Sequence, residues 1–158
     1  FLKDVSNHAR DRGWLTGGFR NVEGDDVLGI LNEPGRIIVS GDKDMMTLPG
    51  QHYRDGEVIA VSKWDADVAF YKQTLVGDAS DNYPGCPGIG DKNKLFRSKE
   101  WLTATTEREL WAQVLHQYEK AGHDELYAIT QARCARILRP GEFDLDTATP
   151  HLWEPPVI

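Results

Sequence analysis

Residues 35–46 read Gly35-Arg36-Ile37-Ile38-Val39-Ser40-Gly41-Asp42-Lys43-Asp44-Met45-Met46, and this stretch decides the fold class. A short apolar run rich in β-branched residues and bounded by turn formers reads as a buried strand of a parallel sheet. Two aspartates follow at once, so they lie just past the strand's carboxyl end, where open α/β sheets carry their ligand sites. Two carboxylates held there repel each other unless a cation sits between them. The reading is therefore an α/β fold with its chemistry at a strand end.

Working outward, two more acid clusters flank this one. Glu23, Asp25 and Asp26 stand in VEGDDVLG (22–29), and Asp78 and Asp81 in VGDASDNYPG (76–85). Read alone, the first is an acidic first turn of a helix, which suits the helix dipole, and the second caps a turn together with Ser80 and Asn82. The second cluster runs straight into Gly85-Cys86-Pro87-Gly88-Ile89-Gly90, with Lys92 and Lys94 just beyond. A glycine loop that opens a helix offers backbone N–H groups to a phosphate. Hard cations on carboxylates beside a phosphate grip point to phosphodiester chemistry.

The periodicities around these motifs predict mostly helix. Residues 2–12 place Leu2, Val5 and Ala9 on one stripe and stop at Gly13; a short helix spans Glu23 to Leu31, ended by Pro34-Gly35. Asp55-Gly56 predicts a peripheral hairpin between 52–54 and 58–61. Trp64 to Val76 is a helix with Val68, Tyr71 and Leu75 inward, and a further helix is expected to start at the glycine loop and carry the lysines. Helices at 107–120 and 124–138 follow, with Leu110, Val114, Leu115, Ala128, Ala132, Ala135 and Ile137 inward. From Pro140 on, the chain is expected to be extended and packed on the surface.

The 158 residues, 40% of them hydrophobic, suffice for one core of ordinary size. No apolar run is long enough to span a bilayer, no membrane partner is expected, and two cysteines far apart suit a reducing, cytoplasmic setting. A net charge of -7 ordinarily argues against nucleic acid, yet the seven acids of the three clusters match that excess. Lys92, Lys94, Arg97 and Lys99 form a basic stretch interrupted only by Asp91 within 91–99. The five histidines show no metal-ligand spacing and are read as surface or loop residues. Cys86 is read as a small filler, the five tryptophans as core residues, and Ser40 lacks a histidine for a hydrolase triad.

Taken in order, VEGDDVLG, IIVSGDKDMMTLPG (37–50) and LVGDASDNYPGCPGIGDK (75–92) resemble the 5′ nuclease (flap endonuclease) superfamily, which includes the exonuclease domains of bacterial DNA polymerase I. Gln131-Ala132-Arg133, Ala135 to Arg139, and Leu152-Trp153 further resemble the 5′-to-3′ exonucleases of short-tailed lytic bacteriophages. The resemblance implies the C-terminal portion of a PIN-like, mostly parallel α/β core over 1–76. It implies a helix-three-turn-helix element and helical region over 77–139, and an extended tail over 140–158.

By the same resemblance, Glu23, Asp25 and Asp26 serve a first divalent-metal site, and Asp42, Asp44, Asp78 and Asp81 a second. The metal is Mg2+ or Mn2+, and a K+ ion can sit on loop carbonyls. Gly85, Gly88, Gly90, Lys92 and Lys94 contact double-stranded or branched DNA. The implied activity is metal-dependent 5′-to-3′ exonucleolytic hydrolysis in phage replication or recombination. The family's opening strand, its two aspartates and its basic arch have no counterpart before Glu23. The chain is therefore expected to be a fragment, or one half of an enzyme whose partner is the N-terminal half, and to cleave poorly alone. Two other readings remain: a non-catalytic, sequence-independent DNA-binding module, and a phosphatase with Asp42 as nucleophile.

Overall fold

Asp55 and Gly56 both take positive φ, 52° and 93°, which is the backbone of the tight hairpin that an Asp-Gly pair favours. They join β2 (Gly50–Arg54) to β3 (Glu57–Val61) in a computed structural model that describes residues 2–157, with side chains from Asp4 onward. The hairpin is not peripheral. β2 is the central strand of a three-stranded sheet, parallel to β1 (Ile37–Val39) and antiparallel to β3. The sheet is mixed, with one ladder of each kind, rather than mostly parallel.

Only Ile38 of β1 is buried; Ile37 and Val39 are exposed at 46% and 67%. One face is covered by Met45, Leu48 and Ile137, and nothing among the described residues covers the other. A parallel strand is buried on both faces only where elements lie on both, and here they lie on one. His52 of β2 points to the covered side, with a ring nitrogen 2.9 Å from the Leu48 carbonyl oxygen, so it is a core residue and not a surface histidine.

Five helices lie within a residue of their expected starts, the last ending three residues early, and the single turn at 99–102 has no counterpart in the sequence reading. They are α1 (Leu2–Asp11), α2 (Gly24–Ile30), α3 (Lys63–Val76), the single turn α4 (Lys99–Leu102), α5 (Glu107–Lys120) and α6 (Glu125–Ala135). Ser62, Ser98, Thr106 and Asp124 each accept a backbone N–H at the start of α3, α4, α5 and α6. The main core lies between α3, α5 and α6, where Phe70, Tyr71, Leu75, Leu110, Trp111, Val114, Tyr118, Ala128 and Ala132 are buried. Trp101 and Trp153 join it, but Trp14 stands exposed beyond α1, whose Val5 is also exposed. Past α6 the chain runs through a small hairpin, β4 (Phe143–Asp144) with β5 (Thr149–Pro150), before Trp153 packs edge-on against Phe70 and Trp111.

Two differences from the expected elements bear on the site. α6 stops at Ala135, leaving residues 136–139 extended enough for Leu138 to meet α2. The Leu138 N–H donates to Asp26 Oδ1 at 2.9 Å. One turn on, a Cβ at Gly29 would lie 2.0 Å from the Leu138 carbonyl oxygen, so only glycine permits this approach. The helix expected to begin at the glycine loop is absent. Pro84 and Pro87 lack N–H donors, Gly85 and Gly88 take positive φ, and the chain turns until a 3-10 turn, Lys94–Arg97, capped by Asn93. Among the described residues no helix is long and apolar enough to cross a membrane.

Candidate active site

Two separated segments meet past the end of β1. A 3-10 turn, Asp44–Thr47, carries Asp44, and the loop after α3 carries Asp78 and Asp81. One oxygen from each of these three carboxylates lies within 4.8 Å of the others. Asp44 and Asp81 also line a cleft of about 320 Å3 whose opposite wall is Glu23, Asp25 and Asp26 at the start of α2. Five of the seven acids singled out from the sequence therefore share one cleft.

Local structure explains how the acid loop is held. Asp78 and Tyr83 exchange backbone hydrogen bonds of 2.9 and 3.1 Å, closing the segment between them into a ring. The ring is shut at its neck by two glycines, since a Cβ on Gly77 would sit 2.4 Å from the Gly85 nitrogen and a Cβ on Gly85 would sit 2.4 Å from the Gly77 nitrogen. The Gly85 N–H donates to the buried Gln131 Oε1 at 2.9 Å. Gly85, expected among the DNA contacts, is buried at this neck, and its N–H is not on offer to a phosphate. Gly88, Gly90, Lys92 and Lys94 are exposed, as are Arg97 and Lys99. In the same loop the Cys86, Gly88 and Gly90 carbonyls accept bonds from Ile89 and Asn93.

The remaining acids are tied more firmly than their sequence suggests. Asp42 does not join the three-carboxylate group; its Oδ1 accepts the Asp44 N–H at 2.9 Å and so shapes the turn that presents Asp44. Asp26 accepts from Leu138 with one oxygen and from the Glu23 N–H, at 3.4 Å, with the other. Asp25 and Asp44 are the strained charges. Burial, then the Asp42 charge, raises each above the usual carboxylate range. Asp78 goes the other way, to about 2, because the Ser80 hydroxyl and then the Lys43 ammonium bond its carboxylate. Lys43 Nζ lies 3.0 Å from Asp78 Oδ2.

Several site residues carry no signal in the acid motifs. Arg133 of α6 and Arg136, the first extended residue past its end, both line the cleft. Arg136 is held by Glu142 and lies over the Phe70 ring, and Arg133 is held by Glu154. Gln73 of α3 donates to the Tyr83 hydroxyl at 3.0 Å and lines the cleft beside Asp44. Burial pushes the Tyr83 phenol up to about 12, so it stays neutral near neutral pH.

Hard oxygen donors converging from two separate loops are compatible with a divalent cation, and the cluster already draws one cationic group, Lys43. Sequence comparison sharpens this. The chain is 30% identical over 168 aligned positions to the exodeoxyribonuclease of Enterobacteria phage T3, covering 85% of this chain and 56% of that protein. It is 32% identical over 121 positions to a 5'-3' exonuclease of Bacillus subtilis (strain 168), covering 63% and 41%. The chain belongs to the 5′ nuclease superfamily. Within that superfamily it is also 29% identical to the exonuclease of Escherichia phage T7, again over 85% of this chain and 56% of the relative. It spans about half the length of the curated phage relatives it matches. No family model matches the chain, and no solved structure matches it.

Proposed function

We propose that this chain forms one acid wall and the DNA-holding part of a divalent-metal-dependent 5′-to-3′ exonuclease acting on double-stranded or branched DNA, in phage replication or recombination. The observation that carries the reading is the meeting of Asp44, Asp78 and Asp81, from two separate loops, at a cleft faced by Glu23 and Asp25. Asp44, Asp78 and Asp81 hold one cation on oxygen donors, and Glu23 and Asp25 contribute to a second. What such ions supply is polarisation of a phosphodiester and acidification of water, which makes a protein nucleophile unnecessary.

The chain's own groups do the rest. The exposed turn around Gly88 and Gly90, with Lys92 and Lys94, grips the sugar-phosphate backbone as part of a helix-three-turn-helix element running from α3 to α5. Contacts of that kind are indifferent to base sequence and weaken steeply with salt. Asp42 orients Asp44, and Ser80 orients Asp78. Asp42 is engaged with the Asp44 N–H, which disfavours the phosphatase reading in which it attacks phosphorus.

The test uses one duplex labelled at its 5′ end and another at its 3′ end, with Mg2+ or Mn2+. The expected result is slow release of labelled mononucleotide from the first, ahead of gradual shortening of the second, both abolished by chelator and by Asp81→Asn. Release insensitive to both would overturn the reading. The engagement of Asp26, Asp42 and Asp78 inside the fold favours a second reading, a DNA-binding module without turnover. DNA binding with no release at any divalent cation would support that one.

A further inference from the structure

Lys43 stands between two acids of the metal motif, yet neither neighbour holds it. Its ammonium reaches across to Asp78, 35 residues on, while its side chain remains 67% exposed and makes no other ion pair among the described residues. Asp78 is the opposite case. Its side chain is only 10% exposed, with Oδ1 taken by the Ser80 N–H at 2.8 Å, and Oδ2 is the oxygen that Lys43 occupies.

A divalent ion drawn by Asp44, Asp78 and Asp81 must therefore approach an oxygen that already carries a positive group. Two cations on one carboxylate oxygen repel, and the weaker, more exposed one is the one that can leave. Lys43 cannot go far. Its backbone lies between Asp42 and Asp44, and it borders a recess of about 170 Å3 with Asp44, Lys72, Gln73 and Asp91. Once released, its ammonium stands at the rim of the carboxylate cluster, facing whatever anion that cluster receives.

We infer that Lys43 is an exchangeable counter-ion: it neutralises Asp78 while the cluster is without metal, yields that oxygen to a divalent cation, and then contacts a DNA phosphate. This rests on the metal-dependent nuclease reading above and adds an order of events to it. Metal entry converts an internal ion pair into a substrate contact, so metal and DNA binding reinforce each other through one side chain.

Mn2+ titration of the purified protein by calorimetry, without DNA, tests the first half. Lys43→Met should tighten Mn2+ binding by up to about fivefold, the weight of one exposed ion pair. Lys43→Arg should stay near wild type. Lys72→Met removes a charge from the same recess, but Lys72 is paired with Asp91, so it should leave Mn2+ affinity unchanged. Equal tightening in both methionine variants would mean a diffuse charge effect and overturn the exchange. Unchanged or weaker binding in Lys43→Met would overturn it too.

The second half is read from the salt dependence of DNA affinity with Ca2+ and with chelator. Loss of one phosphate contact lowers the logarithmic salt slope by about 0.9. Lys43→Met should show that loss with Ca2+ and not with chelator; an equal loss in both, or none, would refute the phosphate contact. If the wild-type protein binds no Mn2+ at all, the metal reading itself fails and the inference falls with it. Far-ultraviolet circular dichroism of each variant checks that the fold is kept.

Discussion

Asp26 Oδ1 accepts the Leu138 backbone N–H at 2.9 Å across a separation of 112 residues. An acid that sequence pattern assigns to metal is thus also the strut that fastens the start of α2 to the segment leaving α6. Glu23 and Asp25, on the same turn, depend on that strut for their place in the cleft.

Removing the strut should cost stability where removing its neighbour should not. Asp26→Ala loses both the Leu138 bond and the bond to the Glu23 N–H, and should destabilise by about 1–3 kcal/mol in urea titration. Asp25 is the contrary case, because burial and then Asp42 raise its pKa. A carboxyl raised in the folded state lowers stability above its unfolded pKa. Asp25→Asn should leave the melting temperature unchanged or higher while weakening Mn2+ binding.

Arg139 is the second long-range fastening. Its Nη1 lies 2.6 Å from Asp67 Oδ1 of α3, its Nη2 donates to the Thr47 carbonyl at 2.7 Å, and both side chains are under 10% exposed. Asp67 also holds the Lys63 ammonium at 2.6 Å, whereas Arg139 has no other ion pair among the described residues, so Asp67→Ala should cost about 3–5 kcal/mol by urea denaturation and Arg139→Ala less. Thr47 ends the turn that carries Asp44. A variant that still folds should therefore also bind Mn2+ more weakly.

The neck of the acid loop tolerates nothing larger than hydrogen. Gly85→Ala would place a Cβ 2.4 Å from the Gly77 nitrogen at a φ of 67°, and should destabilise by well over about 1 kcal/mol and weaken Mn2+ binding together. Gly88→Ala is the control. It has a similar φ of 78° but open space around it, so it should cost only about 1 kcal/mol and leave Mn2+ binding intact. Paired calorimetry and thermal melts separate the two.

Acid stability should depend in part on the cap of α5. The Thr105 N–H, then the Thr106 hydroxyl and N–H, hold Glu109 below its ordinary value of 4.5. A depressed folded pKa gives stability that is complete above the unfolded pKa and is lost as pH falls through the folded one. Melts taken downward from about pH 5 should fall less steeply for Glu109→Gln than for wild type. Parallel curves would contradict the assignment.

Most of the elements are legible without coordinates, because helix stripes, capping residues and the Asp55-Gly56 turn act over a few neighbours. The three acid motifs are legible for the same reason. The missing helix at the glycine loop marks the limit of that reading: glycines and lysines fit a phosphate-binding helix start, but two prolines and two positive-φ glycines hold the chain in turns until Asn93.

By itself, then, the sequence determined the element types, the positions of the carboxylates and the family likeness they carry. Tertiary structure alone decided which carboxylates share a cleft, that Asp26 serves the Leu138 N–H, that Lys43 sits on Asp78, and that β1 is covered on one face only. These are pairings between residues tens of positions apart, set by how helices and loops close on one another. Local spacing carries no record of an oxygen's distant partner, nor of what lies over a strand.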